Sequence, residues 1–245
     1  MFIHYRTQGL ILRKIDRGEA NQFFTVYTKD YGKVEILGKA IRKIKSKLRS
    51  GADIFYLSDI EFIRGKIHKT LTDAILIEKF PQIQKDLGKL IIAGKIAASL
   101  DVLAGTEEKE EMIWSLLLKT FRILNSHQSS VKNFQLIYHY FFWKLLIILG
   151  YKPELYNCLI CQKKLIPSLL FFNPQEGGVI CNNCFQKSKI GEEISPDTTK
   201  ILRFILIKDW KTISRLKASD HDLKLLNGIS DLYLSCSARS VIPSP

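Results

Sequence analysis

The chain has 245 residues, and its 37 lysines and arginines outnumber its 24 aspartates and glutamates, which gives a formal net charge of +13. With 46% hydrophobic and 25% charged residues, the composition excludes a disordered polyelectrolyte and a membrane protein and favours a folded, cationic protein. The first residues lack the apolar run and the small-residue cleavage site of a signal peptide, so we expect a cytoplasmic location.

Residues 1–80 carry short β-branched and aromatic runs that are separated by turn signals. These runs predict strands at residues 7–13, 23–28, 33–37, 53–64 and 69–80. Five short strands in 80 residues indicate a small barrel that is closed or partly open.

From Pro81 to Gly150 the spacing of apolar residues changes to three and four, which predicts helices. Residues 131–149 are apolar nearly all round, so we expect this segment to be the central helix and Gly150 to end it. Two further helical faces are predicted to be covered: Leu87, Leu90, Ile91, Gly94, Ala97, Ala98 and Val102 on one helix, and Met112, Leu116, Leu117, Thr120, Phe121 and Leu124 on the next.

Two helices are also predicted near the end of the chain. Ser195 is a suitable N-cap with a proline after it, and the stripe behind it is Ile201, Leu202, Ile205 and Leu206. The last helix is expected at about residues 220–236. We expect one helical domain over residues 81–245, built from residues 81–150 and 190–236, with a separate insertion at about residues 155–187.

The insertion contains the most specific pattern in the sequence, two CxxC pairs separated by nineteen residues. This spacing is typical of a structural zinc site with four thiolate ligands. The residues between the pairs have the pattern of a β-hairpin, the usual spacer of a zinc ribbon. A redox role would require a CxxC pair after a strand in a βαβ unit, which this sequence lacks. The predicted zinc ligands are Cys158, Cys161, Cys181 and Cys184.

A second pattern is a basic segment between Ile36 and Ala52 that contains no acidic residue. A run of solvated charge is the usual interpretation of such a stretch. If the same side chains contacted a phosphate backbone, binding would be favourable, because each contact releases a counterion from the nucleic acid. On a small barrel that also offers aromatic side chains, the segment favours nucleic-acid binding. The candidate DNA-binding residues are Lys39, Arg42, Lys43, Lys45, Lys47 and Arg49.

Several motifs together resemble the RecO family of bacterial DNA repair and recombination mediators. In the first half they are residues 9–12, 17–21, 24–28 and 32–33 and the segment Gly38-Lys39-Ala40-Ile41-Arg42-Lys43-Ile44-Lys45-Ser46. In the second half they are residues 145–155, the two CxxC pairs and Phe172-Asn173-Pro174-Gln175-Glu176-Gly177-Gly178-Val179. The resemblance covers almost the whole chain.

The resemblance implies an α+β multidomain protein, with an N-terminal OB-fold barrel in residues 1–80 and a helical domain that carries a four-cysteine zinc ribbon. It implies a non-enzymatic protein that binds single- and double-stranded DNA and anneals complementary strands. It further implies cooperation with RecR in loading recombinase onto DNA coated by single-strand-binding protein. The acidic C-terminal tail of that protein is an expected ligand of a basic-rimmed apolar groove.

Two other functions are compatible with parts of the sequence. An RNA-binding or transcription-associated zinc-ribbon protein would suit the same composition. A metal-dependent nuclease would need clustered acids or histidines around an open ion, whereas the histidines are scattered: His4, His68, His127, His139 and His221. Of these, His139 lies on an aromatic helix face and is expected to be a hydrogen-bonded core residue.

Overall fold

The first five strands of the computed structural model, which describes residues 3–126 and 131–241, close into a barrel. The strands are β1 (His4–Arg17), β2 (Asn21–Thr28), β3 (Gly32–Gly38), β4 (Leu57–Arg64) and β5 (Lys69–Glu78). Their order around the barrel is β1-β2-β3-β5-β4, and only the β3–β5 pair is parallel. This is the five-stranded arrangement of an OB-like barrel, as expected.

The barrel is closed around side chains that alternate with outward-facing ones along each strand. Its interior contains Ile11, Phe24, Val26, Ile36, Ile60 and Phe62, each at most 2% exposed. All five predicted strands are present. The fourth begins at Leu57 rather than residue 53, because Phe55 takes a left-handed conformation with φ of 61° that interrupts the extended backbone.

Three helices follow the barrel: α1 (Pro81–Lys85), α2 (Leu87–Leu103) and α3 (Glu111–Asn125). The predicted covered face of α2 is wrong, since Leu87, Ile91 and Val102 are exposed. The helix is apolar nearly all round, so its periodicity did not identify the face that packs. The side chains it buries include Ile92, Ala93, Ile96, Ala97, Leu100 and Leu103.

The covered face of α3 is confirmed apart from Met112, which is exposed. Phe121 on this face packs against Phe55 and Phe80, with ring centroids 5.5 and 5.6 Å away. The chain forms two compact units, Met1–His127 and Gln128–Pro245. In this division α1–α3 belong to the unit that contains the barrel, whereas the predicted boundary after residue 80 is the point where strands give way to helices.

The second unit is built around α4 (Val131–Ile148), against which α6 (Pro196–Ile207), α7 (Trp210–Ile213) and α8 (Asp220–Val241) pack. The centre of α4 is buried, as predicted, and Leu146 is 0% exposed. The chain turns at Gly150, whose φ of 88° suits glycine. His139 is the expected core histidine, with its Nδ1 3.1 Å from the Ser230 hydroxyl.

A small sheet in this unit contains β6 (Leu170–Asn173), β7 (Gly178–Cys181) and β8 (Glu192–Ile194), in the order β7-β6-β8. The hairpin β6–β7 was predicted. The third strand was not, and it extends the ribbon beyond residue 187. Between β7 and β8 lies the short helix α5 (Asn182–Ser188). Within the described ranges, none of the helices combines the length and apolar character required to span a bilayer.

Candidate metal centre and nucleic-acid interface

The four cysteines of the ribbon converge on one point, as predicted. Their Sγ atoms all lie within 4.8 Å of one another, and those of Cys161 and Cys181 are 3.9 Å apart. Tetrahedral zinc with Zn–S bonds of about 2.3 Å separates its sulfurs by about 3.8 Å. The four cysteines therefore have the spacing needed to bind one metal ion.

Two different local structures position these sulfurs. Cys158 and Cys161 lie in a tight turn, closed by hydrogen bonds from the Cys158 N–H to the Lys163 carbonyl and from the Gln162 N–H to the Cys158 carbonyl, both 2.9 Å long. Cys181 ends β7, and Cys184 lies in the first turn of α5. The hairpin thus brings the second pair to the turn that holds the first.

The surroundings of the sulfurs act in opposite directions on two of the four thiols. Burial acts to raise the pKa of the Cys158 thiol, but backbone N–H groups of Cys161, Cys181 and Ile160 donate to its sulfur and lower the pKa to about 6. Burial raises the pKa of the Cys184 thiol, and hydrogen bonds to the neighbouring sulfurs raise it further. A cation would stabilise the thiolate form of all four groups.

Four sulfur ligands complete a tetrahedral shell and leave no position for a substrate, so the donor set is that of a structural site. In the part of the chain that the structure describes, no other group of three or more histidine, cysteine or acidic side chains could hold a metal. Of the five histidines, His127 lies outside the described residues.

The predicted DNA-binding segment connects β3 to β4 and includes a 3-10 helix, Lys47–Ser50. The side chains of all six predicted cations are exposed: Lys39, Arg42, Lys43, Lys45, Lys47 and Arg49. Arg42 forms an ion pair with Asp16, with an N–O distance of 3.2 Å. Within residues 3–126 and 131–241, none of the other five cations forms an ion pair. Most of the charge of the segment therefore faces solvent.

The segment is attached to the barrel on its apolar side. Ile41 is 1% exposed within the barrel core, and Leu48 packs against that core. The Arg42 N–H donates to the Ala20 carbonyl at 3.0 Å, and the Ala40 N–H donates to the Asn21 side-chain oxygen at 2.8 Å. These contacts hold the backbone so that the cations project from a fixed support.

Beside the segment lies a polar groove of about 320 Å³, whose walls include Arg42, Arg49, Lys14 and Gln22 and also Asp53, which forms an ion pair with Lys14. The sequence analysis did not identify Lys14, which lies on β1 outside the basic run. The signal available in the sequence was the change after the apolar run Leu10-Ile11-Leu12, which is buried, to residues 13–17, which are mostly charged and are all exposed. The strand register then places residues 13–17 of β1 opposite the start of β2.

The aromatic residues of the barrel divide into two groups. Phe24, Tyr27, Phe55 and Phe62 are buried and contribute to packing. The others are partly exposed: Tyr5, Phe23, Tyr31 and Tyr56. The sequence did not distinguish the two groups, because strand alternation fixes a face only when the register is known.

Both halves of the chain match known families. The model for the N-terminal part of recombination protein O matches residues 1–80, and the model for its C-terminal part matches residues 84–242. The chain is 33% identical over 238 residues to the DNA repair protein RecO of Dehalococcoides mccartyi strain CBDB1, covering 97% of this chain and 90% of the relative. It is 27% identical over 214 residues to the DNA repair protein RecO of Thermoanaerobacter sp. strain X514, covering 87% and 84%. The chain therefore belongs to the RecO family of DNA repair proteins.

Proposed function

We propose that this member of a DNA repair family is a non-enzymatic mediator that binds single- and double-stranded DNA and anneals complementary strands. The observation that carries the proposal is the set of exposed cations from Lys39 to Arg49, held on an OB-like barrel. Barrels of this kind bind oligonucleotides across their second and third strands and the adjoining loops. We place the DNA-binding residues on the barrel, in residues 1–80.

Annealing requires that two polyanionic strands approach each other while their bases remain available. Exposed lysine and arginine side chains neutralise phosphates and hold them without reading sequence. The ionic contacts exchange rapidly with salt ions, so a bound strand can shift until its complement is in register. A cationic barrel surface supplies these properties without any bond-breaking step, which supports a non-enzymatic role.

The cysteine cluster supports the same conclusion. We propose that it binds one zinc ion that stabilises the ribbon, where Cys158, Cys161, Cys181 and Cys184 would be the ligands. The closed thiolate set would leave no coordination position to activate water, so a zinc-dependent nuclease activity is not supported by these residues.

Family membership also supports the proposed partners. We propose that the chain works with RecR to load recombinase onto coated DNA in the cytoplasm, where it would associate with the nucleoid. We further propose that it binds the acidic C-terminal tail of single-strand-binding protein. A peptide of that tail should bind at low salt and dissociate as salt is raised, because an acidic ligand on a basic rim is screened.

The decisive experiment measures annealing of complementary DNA strands against time, with and without the protein. We expect acceleration that falls as salt is raised, and no shortening of either strand on a denaturing gel. A competing RNA of the same length should displace the DNA poorly. Strand cleavage would contradict the non-enzymatic role, and preferential binding of RNA would favour the RNA-binding alternative.

A further inference from the structure

A cluster of two aromatic rings and a guanidinium group on the outer surface of the barrel lies outside the predicted basic segment. The ring of Phe23 and the ring of His68 meet edge to face, with centroids 4.9 Å apart and an interplanar angle of 79°. The Arg17 guanidinium carbon lies 4.8 Å from the centre of the Phe23 ring. Arg17 ends β1, Phe23 is in β2, and His68 ends the turn between β4 and β5, so three separate elements form this cluster.

The strand register explains why Phe23 faces outward. Its neighbour Phe24 is buried in the barrel core, and consecutive side chains of a strand point to opposite faces. Phe23 is paired with Ile15 on β1 and with Leu37 on β3. Ile15 is 50% exposed, and Leu37 and Phe23 are partly exposed. An apolar row therefore crosses three adjacent strands on the outside of the barrel.

The outer surface of the same strands is covered farther along. Tyr27 on β2 is 1% exposed, and its partner Lys33 on β3 forms an ion pair with Asp101 of α2 at 3.3 Å. The helices of this unit thus cover one end of the β2–β3 surface. The end that contains Phe23 is left open, between the β1–β2 turn and the β4–β5 turn.

The charge around the open end is mainly positive. Arg17 lies in the cluster, Lys39 follows the end of β3, and Arg64 and Lys66 are exposed at the β4–β5 turn. Three acidic side chains lie on the same elements. Asp16 on β1 is paired with Arg42 at 3.2 Å, and Glu19 in the β1–β2 turn and Glu35 on β3 are exposed, so the cations outnumber the acids that remain unpaired with the segment. An apolar, aromatic strip inside a cationic border matches a ligand that has flat apolar groups on a phosphate backbone.

We propose that Phe23, His68 and Arg17 form a base-stacking platform that makes the barrel prefer DNA with unpaired bases. This inference rests on the proposed function and names the form of DNA that this part of the barrel selects. Unpaired bases stack on aromatic rings and on guanidinium planes, whereas the bases of a duplex are already stacked on one another. The lysines of the basic segment can bind the phosphates of single-stranded and of duplex DNA alike. The platform would therefore account for any difference in affinity between the two forms.

The test compares two labelled oligonucleotides of equal length, oligo-dT and a fully abasic strand with the same number of phosphates. The variants are Phe23→Leu and, as a second way to remove an aromatic ring, His68→Ala. The matched control is Tyr56→Leu, because Tyr56 is another partly exposed ring under a cation, with Lys79 Nζ 5.5 Å from its centroid. Thermal unfolding of each variant is measured to check that the variant is folded at the temperature of the binding experiment.

We expect wild-type protein to bind oligo-dT more tightly than the abasic strand. Phe23→Leu should weaken oligo-dT binding roughly 5- to 100-fold, the range of one lost base–aromatic stack, and leave abasic binding unchanged. Tyr56→Leu should change neither. Equal wild-type affinity for both strands would overturn the platform and leave phosphate binding intact, and so would equal losses in Phe23→Leu and Tyr56→Leu. Binding of neither strand would overturn the proposed function as well.

Discussion

The barrel and the ribbon differ in what holds their candidate sites in place. The barrel encloses its own apolar core, and the exposed cations of the Lys39–Arg49 segment project from it without contributing to that core. In the ribbon, the four cysteines are at once the candidate ligands and the residues that join a turn, a strand and a helix.

This difference has a consequence for mutation. Replacing a cation on the barrel should change DNA binding while leaving the fold intact, because surface substitutions away from packed groups cost little stability. Replacing a ribbon cysteine should change the fold first.

The largest effect is expected for Cys161→Ser. Because zinc binding and local folding share one free energy in such ribbons, loss of a ligand should release the metal and unfold the ribbon. Hydrogen exchange is expected to accelerate across residues 155–194. Zinc content per chain should fall from one to near zero in the same preparation.

Cys236→Ser is the matched control, because Cys236 lies on α8 and outside the cluster. The Cys236→Ser variant should retain its zinc, and its ribbon should remain protected from hydrogen exchange. If Cys161→Ser kept both, the ribbon would be held by its apolar packing alone, and the contrast with the barrel would disappear.

Leu146→Ala should have the next largest effect. Leu146 is 0% exposed near the C-terminal end of α4, and truncation of a buried leucine costs about 2 to 5 kcal/mol through lost contacts and a residual cavity. Chemical denaturation measures this loss. Ile207→Ala, at a side chain that is 64% exposed, should change stability by less than about 0.5 kcal/mol. Equal effects of the two variants would refute the central position of α4.

A smaller effect is expected for Asp222→Asn. Burial acts to raise the pKa of this carboxyl, but hydrogen bonds from the hydroxyls of Ser219, Ser195 and Thr198 outweigh it and lower the pKa. These bonds connect the start of α8 to the start of α6. Removing the charge should cost about 1 to 2 kcal/mol near neutral pH.

The pH dependence of this contribution has a definite sign. A carboxyl whose pKa is lower in the folded protein stabilises the fold fully above its unfolded pKa of about 3.9, and the stabilisation is lost as pH falls through the folded value. The difference between wild type and Asp222→Asn should therefore shrink below about pH 4. Asp197→Asn, at an exposed carboxyl in the first turn of α6, should show little difference at any pH. If the stability difference between wild type and Asp222→Asn were the same at every pH, the lowered pKa of Asp222 would not contribute to stability.

Much of this architecture was predictable from sequence. Turn signals located the five strands, and the CxxC spacing identified four ligands that do converge. The strand β8 was missed because Glu192-Glu193-Ile194 is short and polar, and it is a strand only through its pairing with β6. Periodicity also failed on α2, where apolar residues surround the helix and leave no preferred face.

Contacts between elements are harder to predict from sequence than the elements themselves. The change of periodicity at Pro81 marks where strands give way to helices, but it does not show that Phe121 packs against Phe55 and Phe80. Likewise, the run of cations was visible in the sequence, whereas the cluster of Arg17, Phe23 and His68 required the register of two strands and the position of a turn. A candidate site within one continuous segment was predictable from sequence, whereas a site formed by side chains from several elements was not.

We expect the exposed cations of the barrel to bind DNA without being needed for the fold. The most direct test is the salt dependence of single-stranded DNA binding in a variant with Lys43, Lys45 and Lys47 replaced by alanine, compared with a control in which Lys29, Lys85 and Lys119 are replaced. All six lysines are exposed, and all lie in the unit that contains the barrel. Each lost phosphate contact lowers the slope of log affinity against log salt by about 0.7, so the segment variant should lose about 2 in slope with unchanged thermal stability. A slope equal to that of the control variant would contradict the claim and place the DNA on another surface of the protein.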